Sequence, residues 1–400
     1  MATRNEAGVV LGPVSYLDCI IFCIFLAPQL IWHAGFFGTV WCVFQALPFL
    51  ILKLPVSFVW DRYFSPREKQ SLFIQRSSPF EDFVIRCVRY AFSNVPAKIG
   101  RVFFSREVAL PFLRFRLLRH GYFECPVYWK EHHEKSFKGV WIIKDPEEKP
   151  DLVIYYAHGG GFSMGSTYFY LEFLMSWLSL LHKAGYCNPA IFALEYTLVP
   201  DAAYPTQLEE ATEAYEHVLE VAQDPSVVCV SGDSAGATLI LCLLLHLGEK
   251  GPDYQHRLPR PGFAVVISPW VTLISKRHKN MANDYLDVKQ LHQYGTQFAG
   301  DSMAETDPLV SPGCCKDVTW WKRSCPEKGI FVTYGEAEVF APEIEGLIDL
   351  LREANVLVGS KAEPGGIHAW PVASLFLSSS LDNRLDGLRT ITKEIRQRVP

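Results

Sequence analysis

The chain has no Cys-x-x-Cys pair, no Asn-x-Ser/Thr sequon, no internal repeat and no low-complexity tract. Its 11 cysteines are odd in number and scattered, which argues against both a zinc site and a dense disulfide framework. Cys314, Cys315 and Cys325 read as small hydrophobes. Basic residues form no dominant surface and the net charge is −5, so nothing points to nucleic acid. The most informative absence is local: from Cys19 to Leu52, 34 residues carry no Lys, Arg, Asp or Glu. At 49% hydrophobic and 14% aromatic, the 400 residues are too apolar for a typical soluble protein. They are also too poor in long apolar runs for a transporter, and one large domain with an N-terminal membrane anchor fits best.

A bilayer core of about 30 Å needs about 20 apolar residues as helix, and the charge-free stretch exceeds that. Pro28 and Pro48 interrupt it and no polar loop divides it, so a single span followed by an interfacial or re-entrant piece running to Trp60 is expected. A cleaved signal peptide is disfavoured, because the run is far longer than a signal's apolar region of about 7–15 residues. Arg4 precedes the span with Glu6 and Asp18, whereas Lys53, Arg62, Arg67 and Lys69 follow it, which by the positive-inside rule puts the body in the cytosol. From Arg86 to Arg119 eight basic residues face a single acid, Glu107, among Phe103, Phe104, Phe112 and Phe115. That pattern suits either a segment lying on an anionic membrane surface or an ordinary helical cap with solvated arginines.

Beyond residue 120 the pattern alternates. A short antiparallel pair is expected at Tyr122–Lys130 and Val140–Lys144. Buried-type strands are expected at Leu152–Ala157, Ala190–Tyr196, Val227–Ser231, Phe263–Ser268, Ile330–Tyr334 and Val356–Ala362. Helical patterns at Leu171–Lys183, Gln207–Ala222, Ala237–Leu247 and Pro342–Ala354 separate most of them. The alternation implies an α/β fold with a mainly parallel, eight-stranded sheet.

The chemistry begins at Gly232-Asp233-Ser234-Ala235-Gly236, between the Val227–Ser231 strand and the helix from Ala237. A serine hydroxyl is a poor nucleophile unless a tight turn holds it where a base can reach it, and the flanking glycines permit such a turn. His158-Gly159-Gly160-Gly161 follows the Leu152–Ala157 strand, and its bare backbone N–H groups can approach an oxyanion. Gly160, Gly161 and Ala235 are the expected oxyanion hole. His368 follows the last strand in the Ser, acid, His order that this arrangement requires.

These motifs resemble the hormone-sensitive-lipase-like branch of the α/β-hydrolases, the group that includes arylacetamide deacetylase and the fungal steryl acetyl hydrolases. The likeness covers about residues 151–372 and rests on the two motifs above with Glu195-Tyr196-Thr197-Leu198-Val199-Pro200, Tyr204-Pro205, Ser268-Pro269-Trp270, Asp307-Pro308-Leu309-Val310-Ser311-Pro312 and His368. It implies an α/β-hydrolase fold with a helical cap and an N-terminal transmembrane anchor. The family's Tyr-x-Leu-x-Pro motif usually opens with Asp and carries Arg; here Glu195 and Thr197 take those places. The family's acid generally follows the seventh strand as Gly-x-x-Asp, so the resemblance implies Glu338 within Gly335-Glu336-Ala337-Glu338, with Glu336 as the alternative. The N-terminal segment is similar to that of fungal steryl deacetylases, which implies an endoplasmic reticulum membrane and a lumenal body, opposite to the charge count.

The reading that follows is a membrane-anchored, single-pass serine carboxylic ester hydrolase. The anchor is residues 1–60, a membrane-proximal helical cap 61–120, and the catalytic domain 121–400 with a cap insertion at about 276–326. Ser234, Glu338 and His368 are its catalytic residues, and no metal, cofactor, nucleic acid or obligate protein partner is called for. Trp320, Trp321, Phe298 and Tyr285 are candidates to line an apolar pocket, each equally compatible with ordinary core. The expected substrate is a hydrophobic ester, a sterol acetate being the concrete case and an acetylated fungal terpenoid or polyketide of secondary metabolism the alternative. An acyltransferase and a ligand receptor on a hydrolase fold are the other classes, the latter expected to have lost the His.

Overall fold

The computed structural model describes residues 9–249, 258–300 and 306–399. Arg4 and Glu6, which enter the charge comparison, lie outside them, as does a short part of the 276–326 segment.

The charge-free stretch folds as two helices. Ser15 and Asp18 form a capping box that starts α1 (Tyr16–Ala34). Gly35, at φ 81°, turns the chain, and a continuous helical stretch then runs from Phe36 to Phe64. It comprises α2 (Phe36–Pro48), a π-helical turn, α3 (Leu54–Val59) and a second π-helical turn. By length and composition both stretches are apolar enough to cross a membrane. The expected single span with a short continuation is therefore a pair of helices. The expected interruptions, Pro28 and Pro48, lie inside helices, since a proline forfeits one hydrogen bond whereas a residue at positive φ leaves the helix altogether.

Four further helices follow: α4 (Leu72–Arg76), α5 (Pro79–Asn94), α6 (Ala97–Phe104) and α7 (Arg106–Arg119). The antiparallel pair β1 (Tyr128–His133) and β2 (Lys138–Ile143) opens the sheet, followed by β3 (Leu152–Ala157), α8 (Thr167–Lys183), β4 (Pro189–Leu194) and α9 (Thr206–Ala222). Then come β5 (Val228–Asp233), α10 (Ala235–Leu247) and β6 (Phe263–Ile267). The segment up to β7 (Ile330–Gly335) carries α11 (Val288–Ala299) and α12 (Val318–Ser324). The chain ends with α13 (Ala341–Glu353), β8 (Val358–Glu363), α14 (Trp370–Leu377) and α15 (Leu381–Arg398).

The sheet order is β1-β2-β4-β3-β5-β6-β7-β8, with β2 antiparallel to both neighbours and every later pairing parallel. This is the eight-stranded α/β-hydrolase architecture. Side chains alternate between two cores, as a period of two requires. Val153, Tyr155, Val230 and Val266 face one core with α9 and α10, while Ile154, Tyr156, Cys229 and Val265 face the other with α8 and α15. Ala157 pairs with Gly232, Asp233 with Ile267 and Gly335 with Glu363, so β3, β5, β6, β7 and β8 end at one edge.

The helical hairpin is joined to this body through buried charge. Arg116 of α7 is fully buried and meets Glu172 of α8 through both oxygens (2.6 and 3.1 Å) and Asp18 of α1 at 3.3 Å. Arg119 also pairs with Asp18. Two buried carboxylates thus share one buried guanidinium, whose fork suits bidentate contact. Replacing Arg116 by Ala strands the buried Glu172 and leaves Asp18 to Arg119 and Ser15, and the expected loss is about 3–5 kcal/mol of unfolding free energy by urea denaturation in detergent. A loss below about 1 kcal/mol would show that the acids repair their pairing elsewhere.

Candidate active site

Ser234 stands between the last residue of β5 and the first of α10, at φ 52° and ψ −120°. A residue with a side chain is rarely held there, and the strain is sustained by close backbone packing on both sides. A Cβ on Gly232 would lie 2.7 Å from the Ala157 carbonyl oxygen, and one on Gly236 only 2.1 Å from it. Both glycines are therefore steric requirements of the turn. The Ser234 N–H donates to the Ile267 carbonyl at 2.9 Å, which fixes the turn to β6. At the head of α10 the Ala235 N–H lies in the first turn, where helix amides have no intrahelical acceptor.

The glycine loop is fastened to this turn by Asp233. Its buried carboxylate accepts from the Gly159 N–H (2.8 Å), the Tyr156 hydroxyl (2.7 Å) and the Tyr170 hydroxyl (2.8 Å). Burial raises the Asp233 carboxyl above its ordinary range, with the three donors opposing. Gly160 and Gly161 have φ of 124° and 62°, and a Cβ on Gly160 would lie 2.0 Å from the Met164 carbonyl oxygen. His158 stacks on Tyr196 (ring centroids 4.4 Å apart), and burial pushes its pKa down to about 4, so it is a neutral packing element.

Glu338 and His368 follow β7 and β8. His368 Nδ1 is 3.8 Å from Glu338 Oε1, an ion-pair separation, and neither atom has a hydrogen-bond partner among the described residues. Contacts of this kind often tighten only when substrate binds. The other Glu338 oxygen accepts from the Ser268 hydroxyl (2.6 Å) and the Gly335 N–H (3.0 Å). Glu336 is exposed. Ser234 is 6% exposed, His368 2% and Glu338 1%, so the site is closed. Burial lowers the basicity of His368, but the facing Glu338 with the charges of Asp284 and Asp233 outweighs it, and the imidazole pKa lies above its ordinary value.

Two residues after β6 brace the acid to the histidine. Ser268, itself at φ 46°, donates to Glu338 and accepts from the Ala369 N–H at 2.9 Å. Asp284, fully buried, accepts from the His368 N–H (3.0 Å) through one oxygen and the Val339 N–H (2.9 Å) through the other. Its carbonyl receives Arg89 of α5 at 2.6 Å. The sequence reading places Ser268 in a motif but misses Asp284, which lies in the segment read as an insertion. The available signal is a lone acid ahead of the α11 cap residue Asp287.

Of the four aromatic residues considered for a pocket, two border the site. Phe298 stacks on Phe162 of the glycine loop at 3.8 Å, and Tyr285 stands 5.7 Å from the His368 ring. Trp320 and Trp321 do not: their indoles donate to the Leu245 and Cys315 carbonyls, near the C-terminal end of α10 and in the turn ahead of α12. Two indole N–H groups find backbone acceptors there, which makes these tryptophans core. Helix α6 covers the loop, with Arg101 donating to the Ser163 carbonyl (2.9 Å) and Ser166 to the Phe104 carbonyl. Glu195 caps α8 through the Thr167 N–H (2.6 Å), and burial raises its pKa to about 7; Thr197 is held by Glu210 instead of an arginine. Among the described residues no cluster of His, Cys, Asp and Glu is placed to hold a metal ion.

Comparison with known proteins agrees with this fold. A family model described as the α/β-hydrolase fold matches residues 154–372. A Schizosaccharomyces pombe protein named for steryl acetyl hydrolase activity, mug81, is 27% identical over 266 residues, 63% of this chain and 69% of that one. An acetyl-hydrolase of Streptomyces hygroscopicus is 29% identical over 232 residues, 56% of this chain and 70% of its own length. An esterase from the bacterial hormone-sensitive lipase family has the same fold, with a TM-score of 0.63 and 21% identity over 81% of this chain and 99% of that chain.

If His368 acts as a base, activity rises with pH through a limb whose pKa is above about 6.5, the ordinary histidine value. Asp284→Asn removes one charge that raises this pKa and one amide acceptor. The limb is expected to move to lower pH, and kcat to fall on the order of 10²-fold through a displaced imidazole. A variant with unchanged kcat and limb would reduce Asp284 to a structural residue.

Proposed function

The chain belongs to the hormone-sensitive-lipase-like branch of the α/β-hydrolase family and is a carboxylic ester hydrolase, and from that premise we propose that Ser234, Glu338 and His368 perform its catalysis on acetate esters of hydrophobic alcohols at a membrane. In this mechanism His368 takes the Ser234 proton as the hydroxyl attacks the ester carbonyl, and Glu338 orients and stabilises the imidazolium. The N–H groups of Gly160, Gly161 and Ala235 receive the oxyanion, an interaction worth about 10²–10³ in rate for each donor lost. His368 then gives its proton to the leaving alcohol, and a water activated by the same imidazole releases acetate. The observation that carries this reading is the placement of a strained Ser234, a buried acid and a buried histidine beyond one edge of the sheet, with Glu338 and His368 face to face.

Both relatives above bear acetyl-hydrolase names, which supports a short acyl group. The aromatic surroundings of the closed site, Phe162, Phe298 and Tyr285, favour an apolar alcohol, and a sterol acetate is the specific substrate proposed. The exposed apolar helices α1 and α2 support placement on a membrane, where such esters partition.

Ser234→Ala is expected to lower turnover of p-nitrophenyl acetate by about 10⁴-fold or more. Equal loss is not expected at the two candidate acids: Glu338→Ala should lose about 10³–10⁴-fold and Glu336→Ala almost nothing. The reverse order would transfer the role to Glu336. Offered acetylated sterols beside acetylated terpenoids and polyketides, the enzyme is expected to release acetate fastest from the sterols; preference for the others would reject the sterol assignment and leave the hydrolase.

A further inference from the structure

We infer that the α1–α2 hairpin enters the membrane from the side that carries the catalytic body and returns to that same side, so that the chain ahead of the hairpin and the enzyme body share one face of the bilayer. This inference rests on the membrane reading above and replaces a single-pass anchor.

The reason is that the chain before α1 is built into the catalytic domain. Val9 and Leu11 are each 1% exposed, in the same core as Leu174, Trp177 and Leu388. The Ser176 hydroxyl of α8 donates to the Val9 carbonyl (2.9 Å), and the Gly12 N–H donates to His120 Nε2 (2.9 Å). The Val14 N–H reaches the Phe376 carbonyl of α14 (2.7 Å), and Arg384 of α15 holds the Leu11 carbonyl. The far end returns to the same body: Asp61 pairs with Arg86 (3.0 Å), Arg62 with Asp82 (3.5 Å), and Arg62 also donates to the Ile74 carbonyl. A segment with both ends fixed to one domain outside the bilayer cannot cross that bilayer an odd number of times.

The neighbouring helices define what can be immersed. Along α1, Phe22 packs on Phe112 (5.2 Å) and Leu26 on Val102 and Val108; along the returning arm Phe49 stacks on Tyr90 (4.2 Å). Those partners lie on α5, α6 and α7, which carry Arg101, Arg106, Arg114 and Arg119 and are too costly to place in hydrocarbon. Free of them is the tip from Ile31 to Phe44, closed by a bond from the Thr39 hydroxyl to the Leu30 carbonyl (3.1 Å). There Trp32 is 84% exposed, Phe37 85% and Trp41 60%, with no charged residue. At 1.5 Å per residue the longer arm of this tip reaches about 14 Å, the depth of about one leaflet. A lipid bilayer is the occupant that suits such a surface, because a charge-free aromatic tip is flanked by cationic helices at the level of the headgroups.

The test places one epitope tag ahead of Met1 and another after Pro400 of the full chain, expressed in microsomes and treated with protease. Both tags are expected to share one fate, cut together or protected together, and to be cut together once detergent is added; opposite fates in intact microsomes overturn the hairpin while leaving membrane binding intact. In parallel, purified protein is floated with phosphatidylcholine/phosphatidylserine vesicles. The Trp32→Glu, Phe37→Glu, Trp41→Glu variant is expected to partition at least about tenfold less while hydrolysing a water-soluble acetate normally. Flotation of the variant equal to wild type overturns the tip assignment. Wild type that does not float at all overturns the membrane reading itself. A dimer that the triple variant dissociates, without any flotation, identifies a second copy as the occupant instead.

Discussion

Everything in this site depends on holding Ser234 at a backbone conformation that a serine does not choose. The strain at φ 52° is sustained because β5 delivers the chain between β3 and β6 with no room for a side chain at Gly232 or Gly236, and because the Ser234 N–H is bonded to β6. The sheet therefore pays, in backbone strain of about 1–3 kcal/mol, for a hydroxyl raised off its edge. Asp233 extends the same constraint to the glycine loop: one buried carboxylate ties the strand ahead of Ser234 to Gly159, so the proposed nucleophile and the proposed oxyanion donors move as one unit.

The opposite half of the site is braced in a different way. Glu338 and His368 sit on the loops after β7 and β8, which are joined by backbone bonds from Glu336 to Glu363 and from Ala337 to Gly366, and Ser268 and Asp284 bridge them from the segment after β6. Asp284 is in turn held by Arg89 of α5, and α5 packs on the returning arm of the hairpin through Tyr90 and Arg86. A continuous series of contacts thus runs from the apolar hairpin to the histidine. The closed mouth and the hairpin are therefore parts of one assembly.

Much of the body was legible in the sequence because its signals are local. Fully buried parallel strands read as short apolar runs, and β3 begins and ends where the pattern places it, while β4, β5 and β8 are displaced by one or two residues. The elbow and the glycine loop are equally local, since each follows a strand directly. What escaped depends on contacts far apart in sequence. Asp284 has no motif around it, and its importance comes from amides 55 and 84 residues away. Val9 to Val14 are counted with the anchor by sequence, whereas α8, α14 and α15 close over them. The hairpin turn fell at Gly35 and not at the prolines, because positive φ and not a missing N–H ends a helix in an apolar run. Trp320 and Trp321 are mouth candidates by type alone, whereas their indole donors are taken up by the backbone carbonyls of Leu245 and Cys315.

The central claim is that a single hydroxyl, Ser234, carries the ester chemistry, and covalent capture of that hydroxyl tests it most directly. Treating the purified enzyme with a lipophilic fluorophosphonate and mapping the adduct by mass spectrometry should find one label per chain, on the peptide containing Ser234, with esterase activity lost in step with labelling. A label on another residue, or full activity in chains already labelled at Ser234, would contradict the account.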